Sequence, residues 1–241
     1  ANKKTVGVIA VDPTSPFTGG ALLGDRVRMN KYSWDEKVFI RSLGSHGDLG
    51  GLSRKSHEIG DVLAASGKDF IFFETVGVGQ GEHDIINTAD ICIVVLVPES
   101  GDEIQLMKAG LIEIADIFVV NKSDRQGANR ISSLLKNILH SFSLNNKIEP
   151  PVFNTTASQN RGIVELFIGI QSHLTAMDES GDLNYKRLNR YRNRVRELVR
   201  ESLEKSFWDS DKINVLNRLT DKLDHIKEAP HVVVKELFNK A

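Results

Sequence analysis

Several features are rare or missing in this sequence of 241 residues. Its only cysteine, Cys92, lies inside an apolar run and is interpreted as an inert core thiol, so neither an intramolecular disulfide nor a cysteine-rich metal site is possible. No signal peptide opens the chain and no run of roughly 18 apolar residues occurs, so we expect no membrane partner. Lysine and arginine (31) balance aspartate and glutamate (32), whereas nucleic-acid-binding proteins usually carry a basic excess. These absences favour a cytoplasmic protein that binds no nucleic acid.

Short apolar runs alternate with helical patterns along most of the chain. Continuous apolar runs are typical of strands that are buried on both faces, and their alternation with helices predicts a mostly parallel sheet. We therefore predict an α/β domain over residues 1–178, with helices on both faces of the sheet. The predicted strands are residues 5–11, 38–42, 70–75, 91–97, 117–121 and 152–155, and the predicted helices are 52–65, 103–115, 129–142 and 163–177.

Residues 179–241 show helical patterns alone, after a short polar linker at 179–182. Leu188, Tyr191, Val195 and Leu198 form one apolar stripe, and a second stripe over residues 216–226 is expected to end at Pro230. Because helices of this length cannot bury such stripes alone, we predict a helical dimerisation arm and a homodimer. The basic residues at 186–200 are interpreted as a solvated face, and an acidic or nucleic-acid partner is the alternative.

A guanine-recognition motif follows the predicted strand at 117–121. In Asn121-Lys122-Ser123-Asp124, the aspartate can accept hydrogen bonds from the N1–H and the amino group of guanine, a donor pair that adenine lacks. The lysine stem can cover the base, and the asparagine can join neighbouring loops. The next predicted strand is followed by Thr156, Ala157 and Ser158, which suit a backbone contact to the base oxygen. The two loops together predict a guanine site.

Three acids follow predicted strands or glycine-rich segments and can converge on one magnesium ion. Asp12 and Glu74 end the strands at 5–11 and 70–75, and Asp25 lies in a segment with three glycines. Magnesium prefers oxygen ligands and keeps several waters, which suits carboxylates at the carboxyl edge of a sheet. The alternative for Asp25 is a helix-capping or surface acid. Glycines follow Glu74 closely and would let the backbone approach a terminal phosphate.

Six short sequence motifs, including those around Asp12, Glu74 and Asn121, occur along the chain in an order that resembles the MeaB/ArgK family of P-loop GTPases. The resemblance extends from residue 5 to about residue 177. The motifs are VDPTSP at 11–16, GDRVRM at 24–29, LGG at 49–51, ETVGVGQ at 74–80, GDE at 101–103 and NKSD at 121–124.

The resemblance implies a GTPase of the SIMIBI type that binds GTP or GDP with Mg²⁺. Its expected role is that of a chaperone, which gates cofactor loading of an adenosylcobalamin-dependent acyl-CoA mutase similar to methylmalonyl-CoA mutase and protects that enzyme. In a eukaryote the expected location is the mitochondrial matrix. The resemblance assigns catalysis to Glu74, Gly77 and Gln80, and binding of magnesium to Asp12, Asp25 and Glu74. It assigns a third switch, which senses the partner protein, to Asp102, Glu103 and Lys108. Binding of the guanine base is assigned to the two loops described above.

One element of the family is absent, the phosphate-binding loop Gly-x-x-x-x-Gly-Lys-[Ser/Thr] and its strand. We expect it to precede Ala1, and without it the chain is expected to be inactive as a GTPase. Two other functions remain open from the sequence. One is a nickel-metallochaperone GTPase, which would need cysteine and histidine side chains to bind the metal. The other is a dimeric binding module without catalytic activity.

Overall fold

Strands and helices alternate through the first part of the chain, as the apolar runs predict. The computed structural model describes residues 4–12, 29–44, 54–75, 85, 87–99, 111–142, 149–223, 226 and 228–239. The strands are β1 (Val6–Asp12), β2 (Val38–Gly44), β3 (Phe70–Thr75), β4 (Ile93–Leu96), β5 (Ile117–Val120) and β6 (Val152–Asn154). The helices are α1 (Arg54–Ala65), α2 (Leu111–Ile114), α3 (Ala128–Phe142), α4 (Ile163–Glu179), α5 (Asp182–Phe207), α6 (Ser210–Thr220) and α7 (Pro230–Asn239).

The six strands form two parallel sheets of three strands each. Their orders are β2-β1-β3 and β4-β5-β6, and every paired strand runs parallel to its neighbour. In the first sheet Ala10 lies opposite Glu74 and Asp12 lies opposite Gly44. Within the described residues no ladder joins β3 to β4, so each of these strands is the edge of its sheet. The predicted α/β class with parallel strands is confirmed.

The second sheet contains the larger core. All four residues of β5 are buried, with Ile117 and Phe118 fully so, and Leu135 and Leu139 of α3 pack into the same cluster. Burial on both faces is the reason that β5 is a continuous apolar run instead of an alternating one. Cys92 belongs to this core, and burial raises the pKa of its thiol to about 11. A thiol with so high a pKa is protonated near neutral pH and therefore unreactive, as the sequence predicts.

The chain divides into two units, residues 1–187 and 188–241. The boundary falls inside α5, because the first turns of this helix are tied to the sheet unit by two ion pairs. Lys186 Nζ lies 2.5 Å from Asp116 Oδ1. Arg187 binds Asp90 through two hydrogen bonds of 2.8 and 3.2 Å. Asp116 also accepts the backbone N–H of Cys92 at 2.8 Å.

The second unit contains the rest of α5 together with α6 and α7. The Asp209 side chain caps α6 by accepting the Lys212 N–H at 2.8 Å, and the rings of Phe207 and Phe238 lie 4.5 Å apart. The prediction that Pro230 ends the helix of the second stripe is wrong. That helix, α6, already stops at Thr220, and Pro230 is the first residue of α7. Proline suits a first helical position, where its missing N–H leaves no hydrogen bond unmade. None of the described helices is both long and apolar enough to span a bilayer.

The start of β1 is held by Asp69, and this gives a pH-dependent prediction. The Asp69 carboxylate accepts hydrogen bonds from Lys4 Nζ (2.8 Å), the Thr5 N–H (2.7 Å) and Thr5 Oγ1 (3.0 Å). These bonds, that of Lys4 first, lower the pKa of Asp69 to about 2. A lowered folded-state pKa stabilises the fold above the unfolded value of about 3.9, and this contribution is lost as the pH falls toward 2.

We therefore expect the side-chain carboxyl of Asp69 to titrate near pH 2 when it is followed by carbon-detected NMR. Thr5→Ala removes one of the three donors while the backbone donor stays, so it should move the pKa of Asp69 upward. An Asp69 carboxyl that titrates in its ordinary range in the unmodified protein would contradict this anchoring role.

Candidate functional site

The predicted guanine-binding loops lie at the carboxyl ends of the neighbouring strands β5 and β6. Backbone hydrogen bonds continue the ladder past the strand ends: Asn121 N–H donates to Leu96 O (2.8 Å), and Thr155 N–H donates to Val120 O (2.9 Å). Ser123 N–H then crosses to Thr155 O at 2.9 Å. The two loops are thus extensions of the sheet, and ligands of open α/β sheets bind at this edge.

The side chain of Asn121 joins the two loops. Its Oδ1 accepts one hydrogen bond from Thr155 Oγ1 (3.2 Å) and another from the Ala157 N–H (3.1 Å). A second polar contact, 3.1 Å long, connects Ser123 Oγ with Thr156 Oγ1. Both threonines are buried, so their hydroxyls need protein partners, and these contacts provide them.

The turn after Asn121 holds Lys122 in the left-handed region, with φ of 55°. Non-glycine residues in this conformation cost energy and occur preferentially at functional sites. Arg125 N–H donates to Lys122 O at 3.0 Å and closes the turn. The turn leaves Asp124 exposed, and no other described residue donates a hydrogen bond to its carboxylate.

A cleft of about 260 Å³ opens between the two loops. Its walls contain five of the six residues predicted to bind the base, Asn121, Lys122, Asp124, Ala157 and Ser158, together with Arg125. The sixth predicted residue, Thr156, is buried beneath the loop and supports it. The structure thus brings the two predicted loops together around one opening, with a carboxylate at its rim.

Neither Arg125 nor its partner Glu99 was among the site residues predicted from the sequence. Arg125 Nη1 donates a hydrogen bond to Glu99 Oε1, and both side chains are about half exposed. The hydrogen bond from Arg125 lowers the pKa of Glu99, and the bond to Glu99 in turn raises the pKa of Arg125. The position of Arg125 directly after Asp124 was the available signal, but the four-residue motif ends before it.

The predicted magnesium and switch residues are described only in part. Asp12 is the last residue of β1 and Glu74 the fifth of six in β3, so the backbone brings both to the carboxyl edge of the first sheet. The side chain of Glu74 is exposed. The other predicted residues, Asp25, Gly77, Gln80, Asp102, Glu103 and Lys108, lie outside the described residues, as does the side chain of Asp12. In the described part of the chain, no three histidine, cysteine or acidic side chains cluster as metal ligands.

Comparison of folds first defines the class of protein. The crystal structure of an LAO/AO transport system kinase matches with a TM-score of 0.64 and 24% identity, and the match covers 98% of this chain and 71% of that one. At this identity the match shows the fold alone. The chain therefore has the α/β fold of that crystal structure, with parallel strands and a cleft at the carboxyl ends of β5 and β6.

Comparison of sequences then defines the family. A family model described as methylmalonyl Co-A mutase-associated GTPase MeaB matches residues 1–212, and the chain belongs to this family. A putative GTPase of Pyrococcus abyssi is 44% identical over 97% of this chain and 74% of its own length. GTPase ArgK of Escherichia coli is 38% identical over 76% of this chain and 56% of its own length. The predicted resemblance to MeaB/ArgK is confirmed, and the family and these relatives are described as GTPases.

Gly162 provides a test of how the second loop is supported. This glycine has φ of 74°, and a Cβ there would lie 2.2 Å from Asn154 O at the end of β6. Gly162→Ala should therefore lower the free energy of unfolding by about 2–4 kcal/mol, measured by urea denaturation. Gly181→Ala is the matched control, because Gly181 has φ of 82° with no atom within 4 Å of the added methyl.

In the control Gly181→Ala, the free energy of unfolding should fall by about 1 kcal/mol, which is the cost of the left-handed conformation alone. Equal losses for the two variants would show that the close approach to β6 contributes nothing to the stability of the loop.

Proposed function

We propose that the intact protein binds and hydrolyses GTP and is a chaperone for an adenosylcobalamin-dependent mutase of the methylmalonyl-CoA type. In this role it gates cofactor loading and protects the mutase. The observation that carries the nucleotide part is the cleft between two loops joined by Asn121, with the Asp124 carboxylate at its rim. The mutase part rests on the family description. The proposed location is the cytoplasm, or the mitochondrial matrix in a eukaryote.

Base recognition follows from the donors and acceptors around the cleft. Asp124 would accept from the N1–H and amino group of guanine, and the Lys122 stem would cover the ring. The Ala157 N–H is already used by Asn121. We therefore assign the contact to the base oxygen to the Ser158 N–H, which belongs to the first turn of a 3₁₀ helix, where backbone donors have no partner within the helix.

The carboxyl edge of the first sheet is the proposed binding site for the Mg²⁺ ion and the phosphates of the nucleotide. We propose that Asp12, Asp25 and Glu74 hold Mg²⁺, because carboxylate oxygens suit this hard cation. When bound, the ion would neutralise charge on the phosphates during transfer. We further assign Glu74, Gly77 and Gln80 to catalysis and Asp102, Glu103 and Lys108 to sensing of the mutase, on the basis of the family resemblance.

The exposed side chains on the edge strands β3 and β4 are evidence for a larger sheet in the intact protein. Phe72 on β3 and Val95 on β4 are 48% and 58% exposed. Strands of parallel sheets normally have both faces covered. We infer that a further parallel strand and its helix cover these side chains. The strand and helix of the phosphate-binding loop are the proposed elements.

The second unit carries a surface suited to self-association. Leu188, Tyr191, Val195 and Leu198 of α5 form a stripe, and each is between 42% and 71% exposed. A stripe of this spacing is typical of helix pairing, in which two such faces bury each other. We propose that α5 is the dimerisation surface and that the protein is a homodimer.

Asp124→Asn tests the base assignment. An asparagine cannot accept from both the N1–H and the amino group of guanine, but its amide can donate to the second oxygen of xanthine. In the intact protein with Mg²⁺, we expect GDP affinity to fall by about a hundredfold and affinity for xanthosine diphosphate to rise, measured by calorimetry.

Asp61→Asn is the matched control, since it removes one exposed carboxylate from α1, outside the cleft. It should leave both affinities unchanged. Unaltered GDP binding by Asp124→Asn would refute the base site, and absence of GDP binding by the unmodified protein would refute the GTPase proposal.

Dimerisation is tested by the double variant Tyr191→Asp/Leu198→Asp, which places two charges one heptad apart on the stripe. Burying unpaired carboxylates is costly, so sedimentation should show a monomer. The control Glu197→Gln/Glu204→Gln also changes the charge at two positions one heptad apart, but on the opposite side of α5, and should remain dimeric. A dimeric Tyr191→Asp/Leu198→Asp protein would exclude this surface.

A further inference from the structure

The ion pair between Arg125 and Glu99 stands at the rim of the cleft. Arg125 follows the guanine motif and lines the cleft, and Glu99 lies just beyond β4. The carboxylate of Asp124 adds to the raised pKa of Arg125, and the charge of Lys122 adds to the lowered pKa of Glu99. Charges of both signs thus lie close together beside a residue that lines the cleft.

Stability of the fold does not explain this pair. Both side chains are 51% exposed, and ion pairs between such groups contribute little to folding, because solvent screens the charges and two side chains must be ordered. The consequence of the pair is positional, since an arginine held by a carboxylate keeps its planar guanidinium in one place. Arg125 is one of the residues that line the cleft.

The segment carrying Glu99 is itself fixed against the guanine loop. Leu96 O accepts the Asn121 N–H at 2.8 Å. Together with the Glu99–Arg125 pair, this hydrogen bond joins residues 96–99 to residues 121–125 at two points. Glu99 is therefore held close to the guanine loop by contacts within the protein.

We propose that Arg125 is an additional base-binding residue, whose guanidinium packs on the face of the bound guanine, and that Glu99 is the residue that positions it. This inference rests on the proposed guanine site and deepens it. A guanidinium stacks well on aromatic rings because it is planar and weakly hydrated. Pre-ordering by Glu99 reduces the entropy that Arg125 loses when the nucleotide binds.

GDP binding to the intact protein with Mg²⁺, measured by calorimetry, tests the role of Arg125. Arg125→Ala should raise the Kd by about tenfold, as expected for loss of a stacking contact that includes a charge. Arg125→Lys should also weaken binding, because an ammonium group keeps the charge but not the planar face. Arg130→Ala, which removes an exposed arginine from α3 outside the cleft, is the control and should bind as the unmodified protein does.

A double-mutant cycle tests the role of Glu99. Glu99→Gln alone should raise the Kd by about threefold, and it should have no effect when Arg125 is already alanine. Circular dichroism and urea unfolding should show that all variants fold, as expected for changes at an exposed pair. Equal effects of Glu99→Gln in both backgrounds would overturn the positioning role.

The failure of this inference is distinguishable from failure of the guanine site itself. GDP binding that is unchanged by Arg125→Ala, but lost in Asp124→Asn, would overturn the role of Arg125 and leave the site standing. An unmodified protein that binds no GDP would overturn both.

Discussion

The amide oxygen of Asn121 is the contact on which the cleft depends. Its two hydrogen bonds, to the Thr155 hydroxyl and the Ala157 N–H, use both lone pairs of one atom to hold two loops at a fixed separation. Both bonds join protein groups to each other, so they limit the entropy that the loops would lose when a base binds. The protein itself supplies the geometry of the site.

The buried strand β5 makes that arrangement possible, because its two ends are fixed by different kinds of contact. At its carboxyl end the backbone ladder continues into the guanine loop. At its amino end Asp116 binds Lys186 on the first turns of α5, and Asp90, near the start of β4, binds Arg187. The Asp116–Lys186 pair is largely shielded, with side chains 14% and 29% exposed, so solvent screens it less than the pair at the cleft. The same buried strand thus carries the site at one end and a helix attachment at the other.

Continuous apolar runs predicted the strands of the sheet unit well, and such runs are expected where a strand is buried on both faces, as β5 is. The strand β3 begins and ends as predicted, and the predicted ends of β4, β5 and β6 are within two residues of those observed. The second unit was harder. Leu223 is 85% exposed and lies beyond α6, although its spacing matched a helical stripe, and Pro230 begins a helix instead of ending one. Spacing alone does not separate an apolar residue that is buried from one that merely falls in register.

The guanine loops were predictable for a chemical reason, because the hydrogen-bonding needs of the base restrict which residue types can follow the strand. No comparable restriction marked Arg125 or Glu99. They are separated by 26 residues in sequence and meet only because β4 and β5 are neighbours in the sheet. A contact of this kind depends on strand order, which a motif does not encode. The same reasoning explains why the tie between Asn121 and Ala157 was predictable in kind: both residues belong to loops that follow neighbouring parallel strands, and such loops must meet at one edge.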